Sequence, residues 1–136
     1  TAKRFKAVTS EKAVYNPADK NTLYFYYDQP DSKVRYIILD VFDEFKGTDV
    51  YWGVKEGFSD KQYEWIFREA VLNAPKDYGL FFVMHWTTTF DKAVHYKKLN
   101  ETLHAFALHQ DYGDFAFSKR PDLKLLMALG GHRHHD

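Results

Sequence analysis

The chain contains no cysteine among its 136 residues, and this absence excludes both disulfide bonds and thiolate metal ligands. Lys and Arg together number 19, as do Asp and Glu, so the formal net charge is zero. A chain without net charge has no global field that attracts nucleic acid or an anionic membrane. Nucleic acid is therefore not indicated as a partner.

Long apolar segments are also missing from the sequence. No run approaches the ~18 consecutive apolar residues that a membrane-spanning helix requires, so no membrane contact is expected. The first residues, Thr-Ala-Lys-Arg, lack the apolar core of a signal peptide. The length and the apolar content of 45% suit one soluble domain over residues 1–136, or part of a larger domain. The cellular compartment stays undetermined.

Two short apolar runs are each followed by histidine. Residues 80–84 (Leu-Phe-Phe-Val-Met) precede His85, and residues 125–129 (Leu-Leu-Met-Ala-Leu) precede the terminal segment Gly-Gly-His-Arg-His-His-Asp at 130–136. A short continuous apolar run is typical of a strand buried on both faces of a parallel sheet. Open α/β sheets bind ligands just outside the carboxyl ends of their strands. The pattern therefore predicts a metal site where these two strands end.

The spacing of the terminal histidines indicates which of them share a side. If the backbone stays extended after the glycines, His132 and His134 point one way and His135 points the other. Neutral imidazole is a ligand for Zn, Fe and Mn. Two alternatives stay open: His85 could be a hydrogen-bonded structural residue, and residues 132–136 could be a polar tail or a tag.

The pattern upstream of residue 85 predicts an α/β fold with a mainly parallel sheet. Residues 23–27 and 34–40 favour strands, and Gln-Pro-Asp-Ser at 29–32 indicates a hairpin turn between them. A capping-box pattern at Ser59 and Gln62 begins a helix. The apolar face of that helix consists of Tyr63, Ile66, Phe67, Ala70 and Val71. Strand, helix and the strand at 80–84 form a βαβ unit, which requires parallel strands.

A second helix is predicted over residues 93–109. Its apolar face consists of Val94 or Leu99, Leu103, Phe106 and Ala107. His95, His104 and His109 lie on or near this helix. His104 and His109 are five residues apart, a spacing that does not bring them together on one face. We expect these three histidines at the surface or supporting other groups, outside the metal site.

Four further side chains are candidates for lining the site: Asp40, Trp52, Trp86 and Arg133. Asp40 ends a predicted strand, where a role in a turn or helix cap is the alternative. Trp52 lies in the connection 41–58, which is long enough to be functional, although packing beneath the loop is the alternative.

The order of four segments resembles the calcineurin-like metallophosphoesterases. Residues 34–40 (VRYIILD) are similar to the family's RYIxLD strand, and residues 59–65 (SDKQYEW) to the helix start sxeQxxWL. Residues 82–85 (FVMH) are similar to its vvxxH strand, and residues 131–134 (GHRH) fit its closing GHxH motif. The resemblance covers roughly residues 24–136.

The resemblance implies a calcineurin-like sandwich that hydrolyses phosphoesters, either a small molecule or a phosphodiester. It implies a binuclear site with two divalent ions (Mn, Zn or Fe) about 3.5–4 Å apart. By the resemblance, His85 and His132 would bind one ion and His134 the other.

Three motifs of the family have no counterpart in the sequence: Asp-x-His, Gly-Asp-x-x-Asp and Gly-Asn-His-Asp/Glu. By the resemblance, the chain is the C-terminal half of the domain, and the catalytic histidine and the carboxylate ligands belong to the other half. We therefore expect little or no activity from the isolated chain, which need not hold either ion alone. Open sheet edges would contact the missing half or a second copy. A noncatalytic metal- or ligand-binding module and a structural interaction domain stay open as alternatives.

Overall fold

The computed structural model describes residues 12–19, 22–41, 43, 58–85 and 96–131. These residues form an α/β unit around one five-stranded sheet with the order β1-β2-β3-β4-β5. The strands are β1 (Val14–Tyr15), β2 (Phe25–Gln29), β3 (Val34–Ile38), β4 (Gly79–Met84) and β5 (Lys124–Gly130).

The sheet is mixed but mainly parallel, as predicted. β3 pairs parallel with β4, and β4 pairs parallel with β5. β2 pairs antiparallel with both β1 and β3, so it is the strand that opposes the other four. The predicted hairpin is confirmed, with a 3₁₀ turn at Pro30–Ser32 between β2 and β3.

Two helices are described. Helix α1 (Asp60–Trp65) continues directly into a π-helical segment, Ile66–Val71, and helix α2 spans Tyr96–Ala107. All five residues of the apolar face predicted for the first helix are buried. In α2, Leu99, Leu103 and Phe106 are buried as predicted, whereas Ala107 is exposed and Val94 lies outside the described residues.

Two arginines bind backbone carbonyls at and just after the end of the π-helical segment that follows α1. The guanidinium of Arg35 donates to Ala70 O at 3.0 Å and forms two hydrogen bonds with the carboxylate of Asp28, at 2.7 and 2.8 Å. Arg120 donates to the carbonyls of Leu72 and Ala74. Because a helix leaves its last carbonyls without intrahelical partners, these arginines act as C-terminal caps, and Arg35 of β3 attaches the helix to the sheet.

The prediction that both apolar runs are buried on two faces was wrong. Along β4, Leu80, Phe82 and Met84 are buried, while the alternate residues are partly exposed. In β5 three large apolar side chains are about half exposed: Leu126 at 51%, Met127 at 50% and Leu129 at 51%. The buried helix residues join one core with Leu80 and Phe82, which lie on a single face of the sheet. β5 is also the edge strand of the sheet. Its apolar sequence therefore did not indicate burial on both faces.

Candidate metal site at the strand ends

The strands that lead to His85 and Gly131 are neighbours in the sheet. Met84 of β4 is level with Gly130 of β5 in a parallel ladder. The ladder continues one residue further, because Gly131 N donates to His85 O at 3.0 Å. The predicted adjacency of the two strand ends is therefore confirmed.

Asp40 lies at the same end of the sheet. Ile38 of β3 is level with Val83 of β4, and Leu39 N donates to Val83 O at 2.9 Å. Asp40 directly follows this bond, so it lies at the same end of the sheet as His85. Three strand ends thus meet at Asp40, His85 and Gly131.

The described candidates differ in exposure. His85 is exposed and Asp40 is partly exposed, so neither side chain is confined within the core. The side chain of His85 is thus exposed to solvent directly after β4. The remaining candidates, His132, His134, Trp52, Trp86 and Arg133, lie outside the described residues.

The segment after β3 is attached to the start of α1 by side-chain hydrogen bonds. Ser59 Oγ accepts from Gln62 N at 3.0 Å, which confirms one half of the predicted capping box. The other half was wrong, since Ser59 N donates instead to Asp43 Oδ2 at 3.2 Å. The side chain of Gln62 reaches the backbone of Asp40. Sequence spacing could identify the cap, but not these partners located 16 to 22 residues away.

The described donors do not complete a metal centre on their own. Within residues 12–19, 22–41, 43, 58–85 and 96–131, no group of three or more His, Cys, Asp or Glu side chains could hold a metal ion. Asp40 and His85 offer one carboxylate and one imidazole, a donor pair that suits Zn, Mn or Fe. The residue types at the strand ends fit a divalent ion, with further ligands needed from elsewhere.

The histidines of the second helix lie apart from the strand ends along the chain. His104 is exposed on α2, and His109 follows the helix with its ring 6.5 Å from that of Phe106. His95 is outside the described part.

His104 borders a shallow cleft of about 400 Å³ together with Glu101 and Tyr112. Tyr112 Oη donates to Glu101 Oε2 at 2.8 Å, and this hydrogen bond is the main cause that raises the pKa of Tyr112 to about 12.

Comparison with known proteins identifies no relative. No protein-family model, curated protein or solved structure matches the chain. Among the helices of the described residues, none is long and apolar enough to cross a membrane.

Proposed function

We propose that the chain supplies metal ligands to a calcineurin-like metallophosphoesterase that hydrolyses a small-molecule phosphoester or a phosphodiester. The observation that carries this proposal is the adjacency of the ends of β4 and β5, joined by the hydrogen bond from Gly131 N to His85 O at 3.0 Å. This adjacency brings Gly131, the residue before His132, to the backbone of His85. In this proposal His85 and His132, which are 47 residues apart in the sequence, lie at one end of the sheet.

In this proposal His85, His132 and His134 hold divalent ions through neutral imidazole nitrogens. When bound, two such ions polarise a phosphoester and activate water for in-line displacement at phosphorus. The imidazoles orient the ions and contribute no negative charge, so carboxylate ligands are needed to keep two dications close together. The isolated chain is therefore expected to show little or no hydrolysis.

A segment outside residues 1–136 would supply the bridging carboxylate, the asparagine ligand and the histidine that protonates the leaving group. The sheet is suited to contact with such a segment, because β5 is an edge strand whose outer side is not paired within the described residues. The same edge could pair with a second copy of the chain.

The proposal is tested by joining the chain to the segment encoded upstream of Thr1 and measuring hydrolysis of an activated phosphodiester with Mn²⁺ or Zn²⁺. We expect chelator-sensitive turnover by the joined protein, loss of that turnover in His85→Ala, and little change in the matched control His104→Ala. Robust turnover by residues 1–136 alone would contradict the need for outside ligands. Metal binding by the joined protein without hydrolysis would instead support a noncatalytic module.

A structural interaction domain is the second candidate, and the outer face of the sheet favours it. The partly exposed ring of Tyr36 lies 4.9 Å from Tyr27 and 5.4 Å from Phe81, centroid to centroid. The half-exposed Met127 and Leu129 of β5 continue this apolar surface. Contiguous exposed apolar patches often mark protein interfaces. A joined protein that neither binds metal nor responds to chelator would support this second function.

A further inference from the structure

The topology of the sheet places both described helices on one of its faces. The chain passes from β3 to β4 and from β4 to β5, each time to the next parallel strand in the same direction. Because such crossovers are right-handed, two successive steps in one direction put their helices on the same face. The core agrees, since the buried residues of both helices join Leu80 and Phe82 of β4. The opposite face, the outer face, therefore has no helix from the described part of the chain.

The outer face carries two apolar rows that cross strands β2 to β5. Side chains alternate along a strand, so the strand register defines which of them share this face. The first row is Tyr27, Tyr36, Phe81 and Met127, and the second row is Phe25, Ile38, Val83 and Leu129. None of these eight side chains belongs to the core cluster. In the first row, the ring of Tyr36 lies 4.9 Å from that of Tyr27 and 5.4 Å from that of Phe81, centroid to centroid.

Leu126 extends the apolar rows by one position. It stands at the register shift between β4 and β5, and its side chain lies over Gly79, where an added Cβ would meet Leu126 Cγ at 2.6 Å. The space that glycine leaves is thus filled by a leucine that is itself 51% exposed. Gln29 and Lys124 end the strand row that contains Gly79, so polar side chains border the apolar surface.

The dimensions of the outer face fit a sheet better than a helix. Four strands about 4.8 Å apart, each about 20 Å long, form a surface of roughly 400 Å². A helix about 10 Å in diameter would cover only half of that width. A second sheet of the same size and twist covers it completely, because sheets of equal twist pack aligned, with their strands about 30° apart.

The charge of the outer face also matches that of a second copy. The two rows contain no side chain that is charged at neutral pH, so they do not select a partner of opposite charge. The whole chain has 19 basic and 19 acidic side chains, and two copies therefore approach without net repulsion. Interfaces between identical subunits are also more apolar than other protein interfaces.

We propose that the outer face binds the outer face of a second copy, so that two sheets pack face to face in a reversible homodimer. The inference rests on the second proposed function, the structural interaction domain, and names its partner. Two faces of this size bury roughly 800 Å², which is below the range of about 1,200–2,000 Å² for stable complexes. The dimer therefore dissociates on dilution.

The test is sedimentation equilibrium of residues 1–136 over a wide concentration range. Phe81 lies in the middle of the sheet and is away from the β5 edge, so Phe81→Lys should weaken dimerisation at least about 10-fold by burying a charge without a partner. Val83→Thr keeps the branched shape and the strand preference, so it gives a weaker effect in the same direction if Phe81→Lys does not fold. Leu108→Lys is the matched control, because Leu108 is 52% exposed and follows α2, and its dimerisation should stay unchanged.

NMR of a mixture of labelled and unlabelled chains provides a second measurement. Contacts between copies should come from the Tyr36 and Phe81 rings. A chain that is monomeric throughout, or association that Met127→Lys reduces and neither Phe81→Lys nor Val83→Thr changes, would overturn the inference, the latter by indicating pairing through the β5 edge. A monomeric chain whose Phe81 and Val83 signals shift on joining the upstream segment would overturn the second copy as partner and retain the interaction domain. Dimerisation should not respond to chelator, so chelator-sensitive hydrolysis tests the metal site separately.

Discussion

The backbone N–H of Gly131 lies 3.0 Å from the carbonyl oxygen of His85, and this hydrogen bond joins the ends of two parallel strands. A Cβ atom placed on Gly131 would meet that oxygen at 3.6 Å, an ordinary van der Waals distance. The hydrogen bond, rather than the small size of glycine, is therefore the property of this position that fixes the strand ends.

Replacing Gly131 by proline should loosen the strand ends, because proline has no backbone N–H. We expect Gly131→Pro to lower the free energy of unfolding by about 0.5–1.5 kcal/mol, the usual range for one hydrogen bond. Gly131→Ala is the matched control and should stay close to the unmodified chain. Urea unfolding followed by circular dichroism measures both, and equal stability of the proline and alanine variants would contradict the role given to this bond.

Replacing Arg35 should destabilise the fold more than any surface charge change. Its side chain is 4% exposed, bonds the Asp28 carboxylate and caps the carbonyl of Ala70. Arg35→Ala leaves that carboxylate without its cation, and we expect a loss of about 3 kcal/mol in the free energy of unfolding. Arg35→Lys keeps the charge but not the two parallel hydrogen bonds, so its loss should be smaller. A loss below 1 kcal/mol for Arg35→Ala in urea unfolding would contradict this assignment.

The ion pair of Arg120 and Asp122 should make stability depend on pH. A hydrogen bond from Arg120 is the main cause that lowers the pKa of Asp122 from 3.8 to about 2. Because the folded pKa is depressed, the ionised carboxylate stabilises the fold above about pH 4, and this contribution is lost as the pH falls toward 2.

The corresponding test compares Asp122→Asn with Asp114→Asn in thermal unfolding between pH 2 and pH 7. Asp114 is 86% exposed and lies 3.6 Å from Arg68, so its replacement should have little effect. Asp122→Asn should be less stable than the unmodified chain at pH 7 and should approach it near pH 2. A stability difference independent of pH would show that ionisation of Asp122 is not its source.

The edge strand β5 should promote association between chains. Met127 and Leu129 are half exposed on a strand whose outer edge has no pairing strand among the described residues. Sedimentation velocity over a wide concentration range should detect oligomers, and Met127→Lys should reduce them, because a charge on an edge strand opposes pairing. Leu108→Lys is the control, since Leu108 is 52% exposed but lies just after α2. A chain that stays monomeric throughout would count against association through β5.

Local sequence patterns predicted much of the fold. The 3.6-residue spacing from Tyr63 to Val71 identified the buried face of α1, and the turn residues after Gln29 identified the hairpin. The alternation of strand and helix predicted the parallel pairing of β3 with β4. Each of these inferences depends on contacts within one element or between consecutive elements.

The exposure of β5 and the side-chain hydrogen bonds of Gln62 could not be predicted in this way, because they depend on sheet geometry and on partners distant in sequence. The run at β5 is as apolar as that at β4, but Leu126 stands at a register shift between the two strands and is exposed. The spacing of Ser59 and Gln62 indicated a local cap, whereas the Gln62 amide bonds Asp40, 22 residues away. For the candidate site, the neighbouring ends of β4 and β5 were predicted correctly, and the metal itself stays a prediction.

X-ray absorption spectroscopy of the protein joined to the segment encoded upstream of Thr1, loaded with Zn²⁺, tests the metal site most directly. The proposal predicts imidazole nitrogens about 2.0–2.1 Å from Zn, and a reduced nitrogen shell in His85→Ala and in the paired replacement of His132 and His134. The spectrum of His104→Ala should stay the same as that of the unmodified chain. A Zn²⁺ environment that is unchanged by His85→Ala, or that contains no imidazole, would contradict the metal site at the ends of β4 and β5.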